Sequence, residues 1–281
     1  MMYKKNETVL EIALFFIAYF KILYYNIYNN FWHFTTFFYQ KELINIKHYF
    51  NKLYKNTKNE FYELVKQNIL NTKKMFIITA NPETIMTAEN NKNFKAALLD
   101  KQTIIIPDGI GVVKGANLLG YKVEETIPGV ELCTKLFEYC NEFNKSLFLL
   151  GAKQDVLEKL VNVINEKYPS IKISGYENGY IKNKQNCFDS IAKLKPDVVL
   201  VALGIPHQEL LIYDNLNKFD KGIFVGVGGS FDVLSGTKKR APKVFIKLHL
   251  EWLYRILREP KRLQRFFSSN IKYLIKLKKE V

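Results

Sequence analysis

A strand-like segment that ends in an acidic residue is the first candidate for chemistry in this sequence. Thr103 and the three isoleucines after it are β-branched, and Pro107-Asp108-Gly109 follows them. Such a run predicts a buried strand of a parallel sheet that ends in a tight turn. Ligands of open α/β sheets bind outside the carboxyl ends of strands, so the Asp108 carboxylate could act there as a general base. Asp before Gly also caps helices, and a capping role for Asp108 at the helix predicted from Ile110 remains open.

Small or polar residues also follow other predicted strands. Five strands end in Thr-Ala-Asn, Asp-Gly, Gly-Ala, Leu-Gly-Ile-Pro or Gly-Val-Gly-Gly. We expect these ends to form one ligand-binding rim, because the carboxyl ends of parallel strands meet at the same edge of a sheet. The segment Gly226 to Gly229 is the best candidate for a phosphate loop, since glycine lets backbone N–H groups approach an anion. A purely steric role of these glycines in a tight turn is the alternative.

The elements that must position this rim alternate between strand and helix. Helices are predicted at 59–70, 130–143 and 153–168, with a further helix that has Pro82 in its first turn, and strands at 44–46, 75–79, 103–107, 146–152, 171–173, 197–204 and 222–229. This alternation predicts an α/β fold with a Rossmann-like, mostly parallel sheet and helices on both faces. We assign the catalytic domain to residues 43–238.

An unusually aromatic N-terminal extension, residues 1–42, precedes this domain. Its apolar run from Ile12 to Phe20 is shorter than the roughly 20 residues that a membrane-spanning helix needs. Bulky aromatic residues occupy the place of a small-residue cleavage site, which disfavours a secretory signal peptide. We expect a helix that lies on a membrane surface or packs on the main domain.

Residues 239–281 are predicted to form a basic, amphipathic, helical C-terminal appendage. Residues 238–281 contain 14 Lys or Arg and three Asp or Glu, a net charge of +11 out of the +15 of the whole chain. Such a segment indicates an anionic partner: nucleic acid, phospholipid head groups or a phosphorylated substrate. Arg255, Arg262 and Arg265 would share one face of a continuous helix. Pro260 favours a turn instead, which could bring Arg262 and Arg265 over the pocket.

Cysteine and histidine spacing gives no support for a metal site. The three cysteines form no CxxC pair and the four histidines form no HExxH motif. We expect reduced thiols of a cytoplasmic protein, with Cys133 and Cys140 as packing residues of a helix. The sequence also lacks an Asp-x-Asp pair. We therefore predict no metal and no cofactor.

A series of further motifs follows in a fixed order along the chain. They are Thr79-Ala-Asn81-Pro-Glu83, Pro107-Asp108-Gly-Ile-Gly-Val-Val113, Ile127-Pro-Gly129, Leu149-Leu-Gly-Ala152, Gly175 to Gly179-Tyr180, Leu203-Gly-Ile-Pro206-His-Gln208-Glu209, Gly226-Val-Gly-Gly-Ser-Phe-Asp232, Lys239-Arg-Ala-Pro242, Leu250-Glu-Trp252-Leu-Tyr-Arg255 and Glu259-Pro-Lys-Arg262. This ordered set resembles the WecG/TagA/CpsF family of glycosyltransferases. The resemblance extends over about residues 43–269, and its ordered motifs are highly specific.

The resemblance implies an inverting transfer of a hexose, typically N-acetylmannosamine, from a UDP-sugar to an undecaprenyl-diphosphate-linked N-acetylglucosamine. This reaction belongs to cell-envelope polymer synthesis, including teichoic acid synthesis. Asp108 matches the family's proposed general base, and Thr79 and Asn81 match residues that hold the sugars. For Thr79 and Asn81 a plain turn and helix cap remain the alternative. A different donor, such as a UDP-hexose or UDP-N-acetylmannosaminuronic acid, is the alternative within the family.

The resemblance also assigns the remaining site residues. The catalytic residues are Asp108 and Thr79; the substrate-binding residues are Asn81, Gly151, Tyr180, Gln208, Glu209, Gly226, Gly228, Gly229 and Asp232; and the residues that bind the diphosphate or lipid are Arg240, Arg255, Arg262 and Arg265. Backbone donors of residues 226–229, the Gln208 amide and the arginines would stabilise the departing UDP without a metal. Two residues depart from the family pattern, because His207 replaces a Lys or Arg and Thr126 replaces an Arg.

Two other functional classes explain less of the sequence. A nucleic-acid-binding module accounts for the charge but not for the glycine-rich rim. A nicotinamide-dependent oxidoreductase would use Gly109-x-Gly111-x-x-x-Gly115, but the acidic ribose-binding residue expected about 20 positions later has no clear counterpart. We predict a peripheral protein of the inner membrane face whose partners are a UDP-sugar, a lipid-linked acceptor and anionic lipid, and not nucleic acid. Removing the chain from residue 244 onward should abolish transfer and leave the core folded.

Overall fold

The computed structural model describes residues 46–280. The predicted N-terminal extension and the start of the possible strand at Ile44 lie outside these residues. Ile46, the last residue of that possible strand, instead immediately precedes a helix.

Six parallel strands form one sheet in the described part of the chain. They are β1 (Lys74–Ala80), β2 (Thr103–Pro107), β3 (Ser146–Gly151), β4 (Lys172–Glu177), β5 (Val198–Ala202) and β6 (Gly222–Gly226). Their order across the sheet is β2-β1-β6-β5-β3-β4, and every pair is parallel. The carboxyl ends of β2, β1 and β6 are therefore neighbours at one edge, as a ligand-binding rim requires.

Helices connect these strands and cover the sheet. They are α1 (Lys47–Lys52), α2 (Lys58–Leu70), α3 (Pro82–Glu89), α4 (Lys92–Leu99), α5 (Ile110–Leu118), α6 (Gly129–Glu142), α7 (Gln154–Lys167), α8 (Lys184–Leu194), α9 (His207–Asn215), α10 (Ser230–Leu234), α11 (Lys243–Lys247), α12 (Glu251–Arg258) and α13 (Arg262–Glu280). The predicted α/β fold with a parallel sheet is confirmed.

Strand β1, which lies between β2 and β6, contributes to two hydrophobic cores. Phe76 and Ile78 belong to one core, whereas Met75 and Ile77 belong to the other. Because successive side chains of a strand point to opposite faces, the two cores lie on opposite faces of the sheet. All residues of β5 and β6 are buried. Burial on both faces explains why these strands appear in the sequence as continuous apolar runs rather than alternating ones.

The basic C-terminal segment is broken near Pro260. Helix α12 ends at Arg258 and α13 begins at Arg262. A proline ring cannot donate the backbone hydrogen bond of a helix interior and clashes with the preceding turn. Arg255 therefore lies on a different helix from Arg262 and Arg265, so the single continuous face does not form.

Helix α13 docks on the α/β domain through two buried side chains. Tyr273 and Leu277 belong to the same core as β1 residues Phe76 and Ile78, and the Tyr273 hydroxyl donates to the carbonyl of Gly111 at 3.2 Å. Helix α5 accommodates these side chains because Gly115 has none: a Cβ there would lie 2.1 Å from Tyr273 Oη. The end of the predicted appendage is thus part of the core.

A buried carboxylate provides a second anchor for α13. Glu89, whose side chain is 1% exposed, accepts hydrogen bonds from Tyr49 at 2.8 Å and from Lys95 and Lys276 at 3.0 Å. Burial alone would raise the pKa of Glu89, but these donors hold it below its ordinary value. The expectation that the core stays folded without residues 244–281 needs correction, because that deletion removes Lys276 and two core side chains.

Candidate active site

Asp108 lies directly after β2, at the edge where β1 and β2 end together. Its backbone N–H donates to the carbonyl of Ala80 at 2.8 Å, which extends the pairing of the two strands by one residue. Its half-buried side chain lies close to the backbone N–H of Gly129, the first residue of α6, and this donor lowers the pKa of Asp108. The capping position of α5 is occupied by Gly109, with a φ of +106°. The Asp108 carboxylate is therefore not the cap of that helix.

The surroundings of Asp108 make its carboxylate more basic than usual. Burial raises the pKa of Asp108 from 3.8 to about 6, the positive charge of Arg255 lowers it and the negative charge of Glu251 raises it. Both of these residues belong to α12, so the basic tail reaches the strand end that carries Asp108. A base whose pKa is close to the working pH combines ionisation with a useful affinity for the proton.

Small and neutral side chains lie around the Asp108 carboxylate and the start of α6. Thr79 is 8% exposed, and a Cβ at Gly129 would lie 3.4 Å from its methyl group and 3.8 Å from Ser230 Oγ. Burial raises the pKa of the Cys133 thiol to about 12; the nearby Ser230 hydroxyl lowers this pKa and the Asp108 charge raises it. Cys133 is therefore a neutral packing residue of α6, as its position predicted.

A basic cavity of about 440 Å³ lies between α12 and the segment that follows β6. It brings together four predicted site residues, Gly229, Asp232, Arg240 and Arg255, and its other charged residues are Lys238, Lys239, Glu251, Arg258 and Glu259. The lining therefore carries five positively charged and three negatively charged side chains, and this net positive charge favours an anionic ligand. Because Arg255 lines this cavity and also shifts the pKa of Asp108, the cavity and the candidate base belong to one site.

Comparison with known proteins agrees with this geometry. The family model described as "Glycosyl transferase WecG/TagA/CpsF family" matches residues 48–281. The chain belongs to the WecG/TagA/CpsF family of glycosyltransferases.

Named relatives support the same assignment. Proteins called N-acetylglucosaminyldiphosphoundecaprenol N-acetyl-beta-D-mannosaminyltransferase are similar to this chain in Bacillus spizizenii (42% identity; 69% of this chain and 75% of the relative), Bacillus subtilis (41%; 73% and 79%) and Staphylococcus aureus strain MW2 (37%; 71% and 78%). The predicted family and enzyme class are confirmed, and the chain is a glycosyltransferase.

In this glycosyltransferase, two arginines of the basic cavity are held by acidic partners. Arg255 pairs with Glu251 at 2.5 Å, one helical turn away. Arg240 pairs with Glu131 of α6 at 2.7 Å, and Glu131 also binds Lys58 at 3.0 Å. These carboxylates fix the directions of the arginines before a ligand arrives, which lowers the entropy cost of binding.

Asn81 performs the helix-capping role that the sequence left open. Its Oδ1 accepts from the backbone N–H of Thr84 at 3.0 Å, and Thr84 Oγ1 accepts from the backbone N–H of Asn81 at 3.2 Å. This reciprocal pair starts α3, with Pro82 as the first helical residue. Asn81 Oδ1 accepts from both the backbone N–H and the hydroxyl of Thr84, so the amide nitrogen is the group of Asn81 that is left for a contact with a sugar.

Gln208 and Glu209 are buried at the start of α9, under the loop after β6. Gln208 Oε1 accepts from the backbone N–H groups of Gly204 and Gly228, each at 3.0 Å. Gln208 Nε2 donates to Glu209 Oε1 at 2.7 Å. Both ends of this amide are therefore bonded within the protein, and the N–H of Gly228 points inward rather than towards the cavity.

Gly151 and Tyr180 lie away from the cluster around Asp108. Gly151 ends β3, where a Cβ would lie 2.3 Å from the carbonyl oxygen of Ala202, so its lack of a side chain has a steric reason. Tyr180 follows β4, the strand at the opposite end of the sheet from β2, and is 73% exposed. The substrate-binding roles of both residues remain predictions.

Sequence reasoning missed several residues of the site. Tyr254 and Arg258 line the basic cavity together, and Arg258 Nε donates to the Tyr254 hydroxyl at 3.2 Å. A spacing of four residues places two side chains next to each other on a helix, and this spacing could have indicated the pairs Glu251–Arg255 and Tyr254–Arg258. Glu131 gave no such signal, because its partner Arg240 lies 109 positions later.

Residues 46–280 contain neither a membrane-spanning helix nor a cluster of metal ligands. None of the helices in this range combines the length and apolar character that a bilayer span requires. No group of three or more His, Cys, Asp or Glu side chains in the same range is arranged to hold a metal ion. Metal-independent transfer remains a prediction to be tested by experiment.

Proposed function

We propose that this glycosyltransferase moves N-acetylmannosamine from UDP-N-acetylmannosamine to an undecaprenyl-diphosphate-linked N-acetylglucosamine. The observation that carries the proposal is the position of Asp108, a base with a raised pKa at a strand end beside the basic cavity. The names of the relatives supply the sugar and the acceptor. The product would serve the synthesis of a cell-envelope polymer.

Asp108 supplies the proton acceptor of the proposed reaction. The acceptor hydroxyl oxygen attacks the anomeric carbon of the donor, and its proton passes to the Asp108 carboxylate. The bond between the anomeric carbon and the UDP oxygen breaks at the same time, and its electron pair leaves with UDP. Attack from the face opposite to UDP inverts the configuration at the anomeric carbon.

The basic cavity supplies charge for the diphosphate. Arg240 and Arg255 are proposed to bind phosphate oxygens, because the forked guanidinium group matches a phosphate geometrically. Arg262 and Arg265 begin α13 soon after α12 ends, and we propose that they complete this set. Charge placed before the reaction stabilises a leaving group without reorganisation.

Exposed apolar side chains on the C-terminal segment support attachment to a membrane surface. Val244, Leu248 and Leu257 are 65%, 61% and 54% exposed, and Lys243 and Lys247 are the sequence neighbours of the first two. Apolar side chains can enter the interface, while each lysine near anionic lipid adds about 1 kcal/mol. We therefore propose a peripheral protein on the inner membrane face, where a lipid-linked acceptor is within reach.

The product of the purified protein tests this function. The protein is incubated with a lipid-diphosphate N-acetylglucosamine acceptor and one UDP-sugar in each reaction. The donors are UDP-N-acetylmannosamine, UDP-N-acetylglucosamine, UDP-glucose and UDP-N-acetylmannosaminuronic acid. We expect mass spectrometry to detect an acceptor enlarged by one N-acetylhexosamine with UDP-N-acetylmannosamine alone. UDP-N-acetylglucosamine is the matched control, since its product would have the same mass. A product with another donor only would overturn the choice of sugar, and no product with any donor would overturn the proposal.

A further inference from the structure

A buried pair of polar side chains supports the loop that leads into the basic cavity. Gln208 and Glu209 are 2% and 0% exposed, yet neither is placed to touch a ligand in the cavity. The Gln208 amide oxygen joins the chain after β5 to the chain after β6, because it accepts from Gly204 and from Gly228. One side chain thus fixes the distance between two neighbouring strand ends.

Glu209 determines which end of the Gln208 amide faces these backbone groups. Two N–H donors at 3.0 Å require an oxygen acceptor, and the opposite end of the amide must then donate. Glu209 Oε1 receives that donor at 2.7 Å. An apolar side chain at residue 209 would leave the amide nitrogen buried without an acceptor, which favours rotation or displacement of the amide.

The backbone of β6 is shaped to fit this pair. A Cβ at Gly226 would lie 2.8 Å from Gln208 Nε2 and 2.9 Å from Glu209 Oε1. Gly226 therefore has a steric reason to be glycine, and the two side chains pack directly on the strand end. Three residues later the chain reaches Gly229, which lines the basic cavity with Asp232.

We propose that Glu209 is a positioning residue for donor binding. Its carboxyl group holds the Gln208 amide, the amide holds the N–H of Gly228, and this chain of bonds sets the place of Gly229 and Asp232 in the cavity. The inference rests on the proposed function, because the ligand of this loop is taken to be the UDP part of the donor. It replaces direct substrate contact as the role of Gln208 and Glu209.

A neutral side chain of the same shape should be able to replace Glu209. Burial raises the pKa of Glu209 to about 7, and the hydrogen bonds from Gln208 and from its own backbone lower it. Its second oxygen, Oε2, is buried and has no hydrogen-bond partner among the described residues. Glutamine keeps a carbonyl oxygen that can accept from Gln208, whereas leucine does not.

The test compares Glu209→Leu with Glu209→Gln, and uses Glu166→Leu on the exposed surface of α7 as a control. Dissociation constants for UDP are measured together with donor KM, acceptor KM and kcat. In Glu209→Leu we expect UDP Kd and donor KM to rise about tenfold to a hundredfold, the loss that an unsatisfied buried group causes. Acceptor KM and kcat at saturating donor should stay within about twofold. Glu209→Gln and the control should match the wild type.

Several outcomes would overturn the inference. Unchanged UDP affinity in Glu209→Leu would exclude a role in donor binding, and an equal loss in Glu209→Gln would mean that the carboxyl group itself is required. If Glu209→Leu does not fold, amide hydrogen exchange in the wild type decides: Gly228 must be protected, and exchange as fast as in an open loop contradicts the bond to Gln208. A wild type that binds no UDP would count against the proposed function instead.

Discussion

The pH dependence of transfer should report the environment of Asp108. A general base must be ionised to accept a proton, so kcat/KM falls when the pH drops below the pKa of the base in the free enzyme. Burial raises the pKa of Asp108 from 3.8 to about 6, with Arg255 and Glu251 acting in opposite directions. We therefore expect kcat/KM to be half-maximal near pH 6 on the acid side.

The raised pKa has a measurable effect on the rate. With a pKa of about 6, roughly one enzyme molecule in ten carries an ionised Asp108 at about pH 5, so kcat/KM should be about tenfold below its plateau there. A carboxylate with the ordinary pKa would remain more than about nine-tenths ionised at the same pH. The acid side of the profile therefore distinguishes a buried base from an exposed one.

Initial rates of transfer between about pH 4.5 and pH 8 provide the assay. Glu251→Gln should move the acid limb to lower pH for two reasons. It removes a negative charge that raises the pKa of Asp108, and it frees Arg255, whose positive charge lowers that pKa, from its ion pair with Glu251. Asp220→Asn, at an exposed position, should leave the limb unchanged. A wild-type limb at or below about pH 4.5, or no shift in Glu251→Gln, would refute this account of Asp108.

Three further predictions concern stability and metal dependence. The pKa of the Asp108 carboxyl is 3.8 in the unfolded chain and about 6 in the folded protein, so the folded protein loses stability as the pH rises between these values. Asp108→Asn should therefore raise the free energy of unfolding, measured in urea, by up to about 3 kcal/mol above pH 6. An unchanged free energy of unfolding would contradict this cost of burying the carboxylate. Tyr273→Ala should lower the free energy of unfolding by about 3–5 kcal/mol, because the buried anchor of α13 is lost. The control Tyr180→Ala, at an exposed position, should change the free energy of unfolding by less than about 0.5 kcal/mol. Equally small effects of the two substitutions would contradict the docking of α13. Thorough EDTA treatment should leave the transfer rate unchanged, and loss of activity restored by magnesium would contradict metal-independent transfer.

Most of the sheet could be predicted because each buried parallel strand is a short apolar run that ends in a polar or glycine turn. The same reasoning placed Asp108 at a strand end, and the structure adds that Gly109, not Asp108, caps α5. Pro260 likewise indicated the break between α12 and α13 from local backbone chemistry alone.

The direction of a polar side chain could not be predicted in this way. Gln208 follows a strand end and resembles a substrate contact in sequence, but whether its amide faces a cavity or the core depends on Gly226 in another strand. The docking of Tyr273 depends similarly on Gly111, which is 162 positions earlier in the chain. Amphipathic patterning alone cannot distinguish a helix that covers the core from one that covers a membrane.

Turnover by Asp108→Asn at saturating donor and acceptor is the most direct test of the central claim, that Asp108 is the base of a sugar transfer. UDP affinity is measured first, so that binding and chemistry are separated. We expect the UDP Kd to stay within about twofold of the wild type, while kcat falls by about 10² to 10⁴, the usual contribution of a general base. A variant that forms the same product at the wild-type rate would contradict the claim.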